Sequence, residues 1–232
     1  MTAENIFLKY ISNKYKDVDM LSKSAGPVIT ISREIGCLAG DVAESLTNKI
    51  NKKLEKYEVK RNWTWISKEI LEKSANELHI KKEDIAHIFD GKARGLLEDF
   101  ALSFFKNFYV SDDTIKCTIK YIVRSMAYEG NVIIVGRAGC IITKDISRSM
   151  HIKLIAPVSY RNQQLCKTFH LTQNEAKDLI RDIDKKRRAF MKFYSGGKDE
   201  CCYYDIILNC TKFDHSSLVD LLYHIGEKKG LY

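Results

Sequence analysis

What this chain has little of narrows it first. Two prolines among 232 residues exclude collagen-like, linker-rich and low-complexity classes. No CxxC or HxxxH pair occurs. The seven cysteines (37, 117, 140, 166, 201, 202, 210) are odd in number, and the adjacent pair 201–202 is poor geometry for one tetrahedral metal site. Reduced, mostly buried thiols in a cytosolic protein are expected. No apolar run approaches the ~18–20 residues of a membrane span. The opening MTAENIFLKYISNKYKD carries early charges and no signal-peptide apolar region. A soluble, cytoplasmic protein without a membrane partner is therefore expected. No internal repeat and no Pro/Ser-rich linker divides the chain, so one domain with insertions is predicted.

What is present points to a folded α/β protein with an anionic ligand. Hydrophobic residues make up 45% of the chain, too many for wholesale disorder. A chain of this length buries roughly 70–75% of its unfolded surface and needs no disulfide staples. Lys and Arg number 38 against 30 Asp and Glu, a formal net charge of +8. That surplus favours a nucleotide, a nucleic acid or a membrane surface without choosing among them.

Five short β-branched runs read as strands: residues 27–32 (PVITIS), 64–67 (TWIS), 131–136 (NVIIVG), 150–156 (MHIKLIA) and 205–210 (DIILNC). Their near-continuous Val and Ile suit a parallel sheet covered on both faces. Helical spacing follows at 39–57, 68–78, 159–168, 172–194 and 215–227, with about three more helices and no strand expected between 81 and 129. Strand alternating with helix predicts a parallel α/β sheet. Thr172 and Glu175 form a capping-box signal for the long helix, and Ser195-Gly196-Gly197 ends it.

In such sheets ligands bind beyond the C-terminal strand ends. The first strand runs into ISREIGCLAGDVAESL, a strand, a small-residue loop and a helix, which is the layout of a phosphate loop. A full GxxxxGK[ST] would have Lys after the second glycine; here Asp41 follows Gly40. The loop reads either as a phosphate cradle or as an ordinary strand-to-helix turn. In GRAG at the third strand's end, Arg137 suits a phosphate or caps loop carbonyls. On the long helix, Arg181, Lys185, Arg188 and Lys192 form a stripe opposite Leu179, Ile183 and Phe190. That stripe is either a basic lid over phosphates or a solvated, ion-paired face. Asp90 and Arg94 in IFDGKARGLLEDF serve either acceptor recognition or local capping. The tryptophans of RNWTWIS either stack on bases or pack at the sheet edge.

The order of these motifs resembles the bacterial cytidylate kinase-like family of P-loop nucleoside-monophosphate kinases. ITISREIGC, WISKEIL, NVIIVGRAG, HIKLIAP leading to Arg161, the helix with Asp184-x-x-Arg187, and YDIILNC carry the resemblance over about residues 26–228. It implies a five-stranded parallel sheet in a three-layer α/β/α fold, with a helical acceptor-binding insertion at about 68–129 and a lid at about 159–198. Residues 1–25 are expected to be a helical extension outside it. The implied reaction is transfer of the γ-phosphoryl of ATP, with Mg²⁺, to a pyrimidine nucleoside monophosphate such as CMP or dCMP. By position, Ser32, Arg33, Gly36, Cys37, Ala39, Gly40, Asp41 and Val42 would form the donor phosphate loop. Asp41 is a candidate Mg²⁺ contact. Arg137, with Asp90 and Arg94, would bind the acceptor; Arg161, Arg181, Arg187 and Arg188 would clamp phosphates, oriented by Asp184. The family commonly has a basic residue where Gly40 stands, so a weakly active or non-catalytic nucleotide-binding protein is the competing reading. Other small phosphate acceptors and, more remotely, nucleic acid remain as alternatives, and monomer or homodimer is left open.

Overall fold

Runs of valine and isoleucine set the strands. The computed structural model describes residues 25–58, 61–67 and 112–232 and places five strands in one sheet. They are β1 (Val28–Arg33), β2 (Thr64–Ile66), β3 (Val132–Val135), β4 (Ser149–Ile155) and β5 (Ile206–Asn209). All pair in parallel in the order β2-β3-β1-β4-β5, and each lies within one residue of its predicted ends. The chain runs outward from β1 to β2, returns to β3, then crosses β1 to β4. Strand order therefore reverses at β1, the switch point beside which crevices open in sheets of this kind.

Two helical layers cover the sheet, as the three-layer prediction requires. Helices α1 (Ala39–Lys56) and α6 (His215–Lys228) lie on one face. There Val42, Leu46 and Ile50, with Leu218 and Leu222, pack against Ile29, Ile31, Ile133, Ile152 and Leu154. Lys49 to Asp220 and Lys53 to Glu227 ion pairs stitch the two helices at their outer rim. Trp63 belongs to this core, 2% exposed, edge-on to Tyr232 at 5.6 Å and held by backbone hydrogen bonds with the Asn51 amide. It is a packing residue and offers no stacking platform.

The opposite face carries α2 (Asp112–Glu129), a short α3 (Gly139–Ile142) and the C-terminal half of α5 (Gln173–Ser195). Ile115, Ile119, Val123, Phe190 and Met191 meet Val28, Val132 and Ile134 there. Residues 112–129 of the predicted insertion are thus one of the core layers. Residues 68–111, with Asp90 and Arg94, and the N-terminal 24 residues lie outside the described residues. Helix α3 was not foreseen, because its four residues are too few to show a period.

Helix α4 (Val158–Phe169) and α5 form a hairpin over the C-terminal strand ends. Its small core of Leu165, Ala176, Ile180 and Ile183 is anchored by Ile35 from the loop after β1. The capping box is present: Glu175 N–H donates to the Thr172 hydroxyl at 3.3 Å, and Thr172 N–H donates to the Glu175 carboxylate at 2.8 Å. Gly196, at φ +61°, stops the helix. The expectation of mostly buried cysteines is only partly met. Cys37 and Cys140 are buried, Cys117, Cys166 and Cys210 half-buried, and Cys201 and Cys202 exposed; all seven are free thiols.

Through their middle the two central strands offer apolar side chains on one face only, although Val28 at the start of β1 joins the opposite core. Thr30, Ser32, His151 and Lys153 alternate with the isoleucines and leucines of the α1/α6 face and make a polar row beneath α3 and α5. Thr30 Oγ1 and His151 Nδ1 share a hydrogen bond of 2.8 Å. Burial pushes the His151 imidazole down to about 4. The fold therefore favours the neutral ring, so this contribution is complete above the unfolded value near 6.5 and is lost as pH falls toward 4. Urea unfolding should show stability declining over that window by on the order of 3 kcal/mol. His151→Asn should flatten the part between pH 6.5 and 5; an unchanged slope in the variant would refute the assignment.

Candidate functional site

The C-terminal ends of β1, β3 and β4 open into a cleft of about 370 Å³, within the size range of small-molecule sites. Ser32, Arg33 and Glu34 come from β1, Gly136 to Ala138 from the end of β3, and Lys153 from β4. The lid helix α5 lends Asp184, Arg187, Arg188, Phe190 and Met191, and the turn after it Asp199, Glu200, Cys201 and Tyr204. One wall is therefore apolar and aromatic while the rim is cationic.

The backbone is strained where it aims Arg137. Arg137 and Ala138 are left-handed, at φ +56° and +52°, directly after Gly136 at +80°. Such conformations cost non-glycine residues about 1–3 kcal/mol each and tend to collect at functional sites. The turn is pinned to the sheet by Gly136 N–H donating to the Ile31 carbonyl at 2.9 Å. Arg187 Nη1 donates to the Arg33 carbonyl at 3.1 Å, fixing the middle of the lid helix over the end of β1.

The acidic residues of the cleft are mostly turned to internal partners. Asp184 receives Arg161 Nη1 at 2.6 Å on Oδ2 and the Ile35 N–H at 3.2 Å on Oδ1. The Glu34 carboxylate accepts from Ala156 N–H at 3.0 Å and lies 3.5 Å from Arg161 Nε. Asp199 caps the following turn through Cys201 N–H at 3.1 Å, and Glu200 pairs with Lys153 at 2.8 Å.

Arg161 is buried and is not part of the cleft lining. It holds the loop after β1 through the Ile35 carbonyl at 3.5 Å, and donates as well to the Ala156 carbonyl after β4 at 3.0 Å and to Asp184. Gly36, at φ +86°, packs so closely there that a Cβ would stand 3.0 Å from the Arg161 Cβ. Both its conformation and this approach demand glycine.

The loop itself lies to one side of the cleft. Ala39 and Val42 are buried in the α1/α6 core, and Asp41 is exposed in the first turn of α1. Leu38 precedes the helix and makes no side-chain cap, so the first N–H groups of α1 receive no side-chain acceptor from it. Gly40 has an ordinary helical backbone, and a Cβ on it would meet nothing nearer than the Trp65 ring at 4.0 Å. The Cys37 and Cys210 thiols act on one another, which holds the Cys210 thiol below and the Cys37 thiol above the usual range.

The structure thus gathers Ser32, Arg33, Arg137, Asp184, Arg187 and Arg188 around one cleft. Arg181 stands away from it, 70% exposed, paired with Asp178 at 2.9 Å and Asp182 at 3.6 Å. The face α5 turns to the cleft is 184, 187, 188 and 191, one step round from the predicted stripe. Ile180 and Ile183 decide this rotation, since their burial against Ile35 and Leu165 sets which side faces inward. Lys153, Tyr204 and the turn at 199–201 were missed. A lysine on the polar face of a central strand, two residues before that strand ends, is the signal that marks Lys153.

A five-stranded parallel sheet of this order, with a loop and helix after β1 and a helical hairpin over its C-terminal edge, defines a kinase-type α/β protein. A family model of the cytidylate kinase-like family matches residues 28–212, and the chain belongs to that family. An uncharacterized protein from Eubacterium ventriosum has a similar crystal structure, with a TM-score of 0.60 and 19% identity. Shikimate kinase from Bacteroides thetaiotaomicron gives 0.50 and 14%. Each comparison covers 86% of this chain and 98% of the other; at these identities the likeness is one of fold. No curated protein sequence matches the chain. Among the described residues, no helix is long and apolar enough to cross a membrane.

The Arg161–Asp184 pair is buried on both sides, with side chains 6% and 12% exposed. Removing one partner of such a pair leaves the other charged and desolvated. Asp184→Ala should lose about 3–5 kcal/mol of stability, read as a lower urea midpoint at unchanged slope. A loss below about 1 kcal/mol, the level of an exposed pair, would contradict this account.

Proposed function

We propose that this chain transfers the γ-phosphoryl group of ATP to a pyrimidine nucleoside monophosphate of the CMP or dCMP type. The observation that carries the reading is the cleft's division of labour, with cations at the rim and an aromatic wall behind them. Phosphate suits Arg33, Arg137, Arg187 and Arg188, since guanidinium forks match its oxygens. A base suits the Tyr204 and Phe190 side. The N–H groups at the start of α1 suit a second phosphate group, that of the donor. Family membership supports the pairing of these two sites.

The protein's work in such a reaction is positioning and charge neutralisation, with no covalent intermediate on a side chain. Arg161 and Asp184 act indirectly: they fix the loop after β1 relative to α5, so that the two phosphate-facing surfaces keep one spacing. Arg187 and Arg188, carried by the hairpin, neutralise charge that grows on the transferred group. Mg²⁺ would supply further neutralisation of the phosphate charge. The described residues hold no cluster of three His, Cys, Asp or Glu able to cage a metal. The ion therefore fits only as one held chiefly by nucleotide phosphates, with Asp41 as the candidate protein contact.

The loop favours a second reading. From Glu34 to Val42 it contains no Lys or Arg, which suits a protein that binds nucleotide and turns it over slowly or not at all. One set of measurements separates the two. Labelled phosphate should pass from ATP to one member of a nucleoside-monophosphate panel under saturating Mg²⁺. Arg188→Ala should lower kcat by roughly 10²-fold. Gly40→Lys, at a position with room for the side chain, should raise it. Nucleotide binding without transfer in the natural chain would leave only the second reading.

A further inference from the structure

We propose that Lys153 is a phosphate-binding residue of the cleft, supplying from β4 the cation that the loop after β1 lacks, and that Glu200 holds its place until phosphate arrives. The inference rests on the reading of the cleft as a nucleotide site and adds to it a residue, a strand and an exchange.

Lys153 stands opposite Ser32 in the β1–β4 register, on the polar row of the sheet, between Ile152 and Leu154, which are buried on the other face. Its stem is held by a central strand, so its ammonium group has a fixed origin at the cleft floor. Among the described residues it is the one lysine in the lining, beside Arg33, Arg137, Arg187 and Arg188. The Nζ reaches the Glu200 carboxylate at 2.8 Å and lies 5.3 Å from the centroid of the Tyr204 ring. That ring is the aromatic wall against which a base would lie, so phosphate on Lys153 and a base beside Tyr204 are compatible with one ligand.

The two members of the pair are held unequally. Glu200 opens a turn, Glu200–Tyr203, that has no buried residue and follows two left-handed glycines, Gly196 and Gly197. Both side chains keep about a quarter of their surface, 24% and 28%, so water reaches the pair and screens it in part. A phosphate brings about two charges and several acceptor oxygens to the same ammonium group, with four guanidinium groups around it. Phosphate therefore displaces Glu200, whose carboxylate swings to solvent with its turn while Lys153 stays. No bond is made or broken; one ion pair replaces another.

Calorimetric titration of the full chain with sodium tripolyphosphate, ATP and CMP tests this. Lys153→Met should weaken at least one of the three by about ten-fold or more, and Lys153→Arg should keep affinity within about three-fold. Glu200→Gln, a change on an exposed turn that does not threaten folding, should tighten that same ligand by a few-fold. In the Lys153→Met background the Glu200→Gln gain should vanish. Unchanged binding of all three ligands in a folded Lys153→Met protein would overturn the proposal. So would a Glu200→Gln effect that is equal in both backgrounds or of opposite sign. If the natural chain binds tripolyphosphate through Lys153 yet transfers no phosphate to any acceptor, the proposal stands and the kinase reading falls. If it binds none of the three, both fall.

Discussion

A single buried ion pair, Arg161 with Asp184, joins the two helices of the hairpin to the loop after β1. Arg161 rises from the first turns of α4, Asp184 from the middle of α5, and both hold the backbone of the loop after β1. Beside that link the hairpin rests on the sheet through the small Ile35 cluster, through Phe190 and Met191, and through Arg187 on the Arg33 carbonyl. Buried charges of this kind add little net stability. What they contribute here is position: the lid helix cannot rotate about its axis without leaving a carboxylate or a guanidinium group unsatisfied.

From that constraint follows the electrostatic character of the cleft. The carboxylates that would oppose an anion are engaged elsewhere, Asp184 and Glu34 by Arg161 and the backbone and Asp199 by its own turn. The guanidinium groups of Arg137, Arg187 and Arg188 line the cleft and give its rim a positive character. The net surplus of the chain says little about this, because charges such as Arg181 are neutralised locally on the outer side of α5. Local arrangement decides the site's polarity.

Much of the fold was legible because its signals are local. Val and Ile runs located each strand, and Thr172 with Glu175 announced the start of α5 through a hydrogen-bond pair that needs only four residues. Arg137 and Arg188 were legible because they follow a strand end or sit on a long periodic helix. The remainder depends on partners far apart in sequence. Nothing near Arg161 shows that its guanidinium is buried, since Asp184 lies 23 residues on and Ile35 lies 126 residues back. The turn of α5 toward the cleft was misjudged by one step because charge spacing marks a stripe but not what it faces; only the burial of Ile180 and Ile183 fixes that. Lys153 was passed over because it interrupts a strand by one residue, too briefly to disturb the apolar pattern.

The polar row of Thr30, Ser32, His151 and Lys153 gives the sheet a cohesive side and a wet side. Facing α1 and α6, the central strands present an unbroken oil-like surface; facing α3 and α5, the same strands present groups that prefer water or one another. Cooperative strength is therefore distributed unevenly through the thickness of the molecule, with the first face acting as the keel. The groups that line the cleft, Ser32 and Lys153, thus stand on strands whose other side is closed by α1 and α6.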